Sequence, residues 1–127
     1  MHSSIQKYKD IISAIKLKLE DQKIGKFPKI IAVTKTFPIK KVIPLIEHGH
    51  LDYGENKVQE AIEKWSEIKS NNNKIKLHLI GKLQTNKVKI SIKLFDYIHS
   101  LDSDRLALKI SQSEKELGKK TKLFIQV

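Results

Sequence analysis

The chain has no cysteine among its 127 residues. Disulfides and thiolate chemistry are excluded, and the redox compartment leaves no trace in the sequence. Arginine is almost as scarce: Arg105 is the single one among 25 basic residues. Arginine is the preferred reader of phosphates and base edges because its planar fork bonds them bidentately. The formal charge of +11 is carried by lysines spread along the chain, which argues against specific nucleic-acid binding and leaves acidic partners as a lesser reading. No apolar run approaches the roughly 20 residues of a membrane span. Met1-His2-Ser3-Ser4 shows no basic stretch followed by an apolar one, so no signal peptide is read there and a cytoplasmic setting is the default. Glycines are few, and Gly54 and Gly81 stand alone, so no Gly-rich phosphate loop is present. His48, His50 and His99 lack metal-ligand spacing, and no Ser/His/Asp nucleophile array is visible.

What remains is an alternation of apolar segments. Ser3 and Ser4 are candidate caps of a first helix, with Ile5, Tyr8, Ile12, Ile15 and Leu19 on one face. Ile30–Val33 reads as a short strand; without polar alternation it is expected to be buried on both faces. Pro38 suits the first turn of a helix, Pro44 should kink or shorten it, and Gly49 should end it. Leu51–Gly54 reads as a weak strand. Asn56 then caps a helix with Val58, Ala61, Ile62, Trp65 and Ile68 on one side. Leu77–Ile80 is a third strand, stopped by Gly81. Val88, Ile90, Ile92 and Leu94 alternate as in a strand, but their place between two better strands predicts a helix. Tyr97–Leu101 is a fourth strand. Ser103 opens a helix that Gly118 closes, and Leu123–Val127 is a fifth strand.

One helix followed by alternating strands and helices predicts an α/β domain over 1–127 with parallel strands and right-handed crossovers. Five such strands do not close an eight-stranded barrel, which typically takes about 250 residues. The expectation is an incomplete (β/α)8 TIM barrel lacking the last three strands, its first and fifth strands both edges, with a marginal fold, aggregation or pairing with a complementary chain fragment as the outcomes.

Functional groups in parallel α/β folds sit just past the carboxyl ends of strands. Those positions hold Thr34 and Lys35; Glu55 and Asn56; His78, Gly81 and Gln84; and His99, Ser100 and Asp102. A lysine there is either a solvated strand end or an amine whose lowered pKa lets it attack an aldehyde. Asn56 reads equally as a helix N-cap, His78 as a satisfied core histidine, and Glu55 as a first-turn charge favoured by the helix dipole.

Four words in order and spacing narrow the choice: IIAVTKTFP, YGENKVQEA, LHLIGKLQTNK and IHSLDS. Over roughly 30–127 the chain resembles the pyridoxal phosphate homeostasis family, also called YggS/PROSC. The resemblance implies a barrel like the alanine racemase N-terminal domain, with pyridoxal 5′-phosphate (PLP) in its mouth. By motif match, Lys35 would be the Schiff-base lysine, Asn56 would lie beside the cofactor ring, and His78 and Gly81 would line the same mouth. It implies a vitamin B6 homeostasis protein that catalyses no reaction, with PLP-dependent apoenzymes as recipients. A racemase-like enzyme and a non-functional truncated remnant are the alternatives. The family pattern reads Ser-Lys-Thr-Lys-Pro where this chain has Thr34-Lys35-Thr36-Phe37-Pro38, so a relay through the second lysine is not available. An aromatic is replaced by Lys57, and the family's phosphate-binding stretch has no counterpart here.

Overall fold

The computed structural model describes residues 2–127, with side chains from Ser4 onward. The elements follow in the order α1 (His2–Asp21), β1 (Ala32–Val33), α2 (Ile39–Glu47), β2 (Asp52–Glu55), α3 (Val58–Asn71), β3 (Lys76–Leu79), a 3-10 turn (Thr85–Lys87), α4 (Val88–Leu94), β4 (Tyr97–Leu101), α5 (Asp104–Leu117) and β5 (Lys122–Ile125). Two compact units are distinguished. One holds α1, the stretch after it to Ile30, and Phe37–His50; the other holds Ile31–Thr36 and Leu51–Val127.

In the first unit, α1 already includes Ser4, so Ser4 is not its cap; the side chain of Ser3 lies outside the described ones. Tyr8 of α1 meets His50 edge-on and lies 3.1 Å from its Nδ1. Pro44 lies inside α2 without ending it: the helix runs three residues further and His48 N donates back to Pro44 O at 3.0 Å. The exit is made by Gly49 at φ 102°, a left-handed value that glycine adopts without a Cβ clash.

The second unit is a five-stranded parallel sheet in the order β1-β2-β3-β4-β5. Sequential order with no reversal is the arc of a (β/α)8 barrel rather than a doubly wound sheet. Side chains alternate across it. Tyr53, Leu77, Leu79 and Ile98 are fully buried on the helix-bearing face, where Tyr53 packs on Trp65 of α3 at 4.8 Å between ring centroids. Asp52, Gly54, His78, Tyr97, His99 and Phe124 share the opposite face.

The 88–94 segment is a helix, as its position predicted: Val88, Ser91, Ile92 and Leu94 are all buried, against α5 and α3. Its carbonyl end is capped by two lysines. Lys69 Nζ donates to Leu94 O, and Lys119 Nζ donates to Ile92 O at 2.5 Å. Burial, and after it the nearby Lys69, hold the Lys119 pKa below its usual value. α5 opens as expected, with Ser103 Oγ accepting from Leu106 N at 3.2 Å, and closes on Gly118 at φ 63°.

The expectation for β1 fails. Val33 is 46% exposed, and no residue of Ile30–Val33 is buried. β1 pairs on one side alone and covers two residues, so its apolar run marks an edge strand and not a strand buried on both faces. β5, the other edge, is exposed along its whole length.

Candidate functional site

Three sequence-predicted residues stand at the carboxyl ends of neighbouring strands. Lys35 is exposed in the turn after β1, Asn56 follows the last residue of β2, and Gly81 comes two residues after β3. Asn56 and Gly81 touch: a Cβ built on Gly81 would lie 2.2 Å from the Asn56 carbonyl oxygen. Only glycine allows so close a backbone approach. Asn56 is not the helix cap; Lys57 holds that position and makes no side-chain cap bond.

Beneath Lys35 and Asn56 lies a charged cluster that the sequence did not reveal. Glu55 is fully buried. Its Oε2 accepts from Thr34 Oγ1 at 2.6 Å and from Trp65 Nε1 at 2.9 Å, and pairs with Lys64 Nζ at 2.9 Å. Lys64 also donates to the Thr34 carbonyl. Glu55 is therefore not a solvated first-turn charge but the buried hub joining β1, β2 and α3. Its other oxygen, Oε1, is buried without a protein partner. Lys64 escaped sequence reading because periodicity marks apolar positions, and it lies one residue ahead of Trp65. Glu60, also on α3, accepts from Thr36 N at 3.1 Å.

His78 sits elsewhere. It lies within β3, level with Gly54, on the face away from the helices. Its Nε2 is 2.9 Å from Asp52 Oδ1 and its Nδ1 is 2.9 Å from His99 Nε2. A carboxylate only accepts, so His78 Nε2 carries a proton; in the neutral ring Nδ1 then accepts from His99 Nε2–H. The ring also stacks on Tyr97, with centroids 4.2 Å apart. The satisfied-histidine reading describes this environment well, whereas the strand-end group of Lys35, Asn56 and Gly81 lies past the strands. Burial, and then the charge of His78, lower the pKa of His99. Ser100 is buried on the helix side with its hydroxyl unpartnered, while Gln84 and Asp102 are exposed.

Chemically, the strand ends carry exposed primary amines at Lys35, Lys57 and Lys82; Lys35 is the one on a turn whose neighbours are bonded into the sheet and α3. Among the described residues no His, Asp or Glu group has the grouping to hold a metal ion, and no helix is long and apolar enough to cross a membrane.

No protein-family model matches the chain. It is 30% identical over 130 residues to the pyridoxal phosphate homeostasis protein of Vibrio alginolyticus, covering 98% of this chain and 55% of that one. The structure of PipY from Synechococcus elongatus with PLP bound is 37% identical, with a TM-score of 0.70 over 86% of this chain and 52% of PipY. An alanine racemase of Clostridium difficile, 19% identical, shares the fold with a TM-score of 0.63, covering 80% of this chain and 30% of the racemase. The chain spans about half the length of the curated relatives it matches. It belongs to the pyridoxal phosphate homeostasis family.

Proposed function

We propose that this chain binds PLP through the Lys35 amine, as part of vitamin B6 homeostasis in the cytoplasm, and catalyses no reaction. The carrying observation is the placement of Lys35: an exposed amine just past a parallel strand, on a turn bonded on both sides. The residues present fit the group's reactive end. PLP supplies an aldehyde that condenses with a primary amine, losing water to form a Schiff base. Lys35 is the amine, and the Asn56–Gly81 junction forms the adjoining backbone. The solved PipY structure with PLP bound supports PLP as the ligand by kinship.

His78 is assigned a supporting role on this reading. Its bonds to Asp52 and His99 order the sheet face that the relatives' barrel encloses. PLP-dependent apoenzymes are the proposed recipients. A complementary fragment supplying strands against β1 and β5 is the proposed structural partner, since Phe124 and Ile125 on β5 are 52% and 78% exposed.

Borohydride reduction of the chain with added PLP, followed by peptide mass mapping, tests the reading. The expected result is a pyridoxyl adduct concentrated on Lys35 and lost in Lys35→Ala. Adducts scattered over many lysines and unchanged in Lys35→Ala refute it.

A further inference from the structure

Lys35 is exposed, yet the peptide groups around it are not free. On its amino side, Thr34 N donates to Gly54 O at 3.0 Å, continuing the β1–β2 ladder. Thr34 Oγ1 is tied to Glu55, and Thr34 O accepts from Lys64 Nζ. On its carboxyl side, Thr36 N donates to Glu60 Oε1 at 3.1 Å. Thr36 has φ 68°. For a β-branched residue that is a genuine outlier, disfavoured by its Cβ. An outlier of this kind persists only where the surroundings hold it.

Glu60 and Lys64 are four residues apart on α3 and so share a helix face. One takes the peptide after Lys35 and the other the peptide before it. Neither bond involves the Lys35 side chain, so the amine is left available while its backbone is fixed. Holding a reacting group in place removes orientational entropy from the barrier, and a misplacement of about 1 Å can cost about 100-fold.

We propose that Glu60 and Lys64 are positioning residues for Lys35: α3 clamps the peptides on either side of it and so sets where the amine meets an aldehyde. This rests on the Lys35 reading above and extends it to residues outside the strand ends. The bond concerned is the C=N formed from amine and aldehyde with release of water; borohydride then adds hydride to the carbon and the nitrogen takes a proton.

Glu60 is the better residue to test, because it is only part-buried and its loss leaves the Glu55 hub intact. Three chains are compared: wild type, Glu60→Ala and Glu60→Gln. The adduct on Lys35 is counted after brief exposure to limiting PLP and reduction, and exchange of the Thr36 amide is followed without PLP. Glutamine keeps an oxygen that can accept from Thr36 N; alanine does not.

Glu60→Ala is expected to lower the Lys35 adduct about tenfold, to speed Thr36 exchange, and to leave the melting midpoint unchanged. Glu60→Gln is expected to restore both. Equal Lys35 adduct in wild type and Glu60→Ala overturns this inference alone, as does a loss that glutamine fails to restore or that follows a lowered melting midpoint. A wild-type chain with no adduct at Lys35 overturns the cofactor reading and this inference with it.

Discussion

Replacing Gly81 by alanine tests how rigidly the strand ends are joined. The new methyl carbon would stand 2.2 Å from Asn56 O, 2.9 Å from its carbonyl carbon and 3.0 Å from its Cα. Carbon–oxygen contacts are comfortable at about 3.3 Å, so about 1 Å of separation must be found. Every atom in the way is backbone, and a rotamer change cannot supply it. Nor is the Asn56 side of the junction free to retreat. The preceding residue, Glu55, accepts from Ile80 N at 3.0 Å through its carbonyl, and its carboxylate is gripped by Thr34, Trp65 and Lys64. Ile80 in turn precedes Gly81, so both sides of the contact are fixed to one another. Overpacking typically costs 1–3 kcal/mol; a backbone clash this deep belongs at the top of that range, about 3 kcal/mol. For a domain of this size that is a fall of about 10 °C in the thermal midpoint. Circular dichroism melts of wild type and Gly81→Ala measure it, and the Lys35 adduct yield should fall in parallel below the melting range. A Gly81→Ala midpoint within about 2 °C of wild type would refute the reasoning, showing that the junction yields easily.

Glu55→Gln should destabilise the chain by about 3 kcal/mol in urea unfolding, because it leaves the buried Lys64 ammonium without its countercharge; an unchanged midpoint would show that the pair contributes little. Stability should also fall in mildly acidic solution. The His99 pKa is lowered from 6.5 in the folded chain, so as pH drops below about 6.5 the unfolded chain takes up the proton first, and the contribution present at higher pH is lost through that window. Urea midpoints above and below the window should differ, and His99→Gln should narrow the difference; a difference just as large in the variant would assign it to other groups. Ser103→Ala removes the side-chain acceptor for Leu106 N and should cost about 1 kcal/mol by thermal melting, with no effect on the Lys35 adduct.

Local signals in the chain determined most of the element order. Ser103 and Gly118 bracket α5 because a cap hydroxyl and a left-handed glycine act within a few residues of where they stand. The helix at 88–94 was legible from its neighbours, since parallel strands need a crossover between them, even though its own apolar alternation suggested a strand. Lys35, Asn56 and Gly81 were legible as strand-end positions because parallel topology places such positions along one edge. Four short words supplied the family. Tertiary structure decided what periodicity cannot encode. Whether Ile30–Val33 was buried depended on what packs around it; β1 pairs with β2 alone, and none of the four residues is buried. Glu55 reads as a surface charge from its sequence neighbours; it is buried because Lys64, ten residues nearer the carboxyl terminus than Gly54, swings back across it with Trp65. His78 was placed at the strand end by its position in the word, yet the pleat turns it to the face that Asp52 and His99 share. Each of these outcomes rests on contacts between residues about 10 to 30 positions apart, which only the folded chain brings within hydrogen-bond reach.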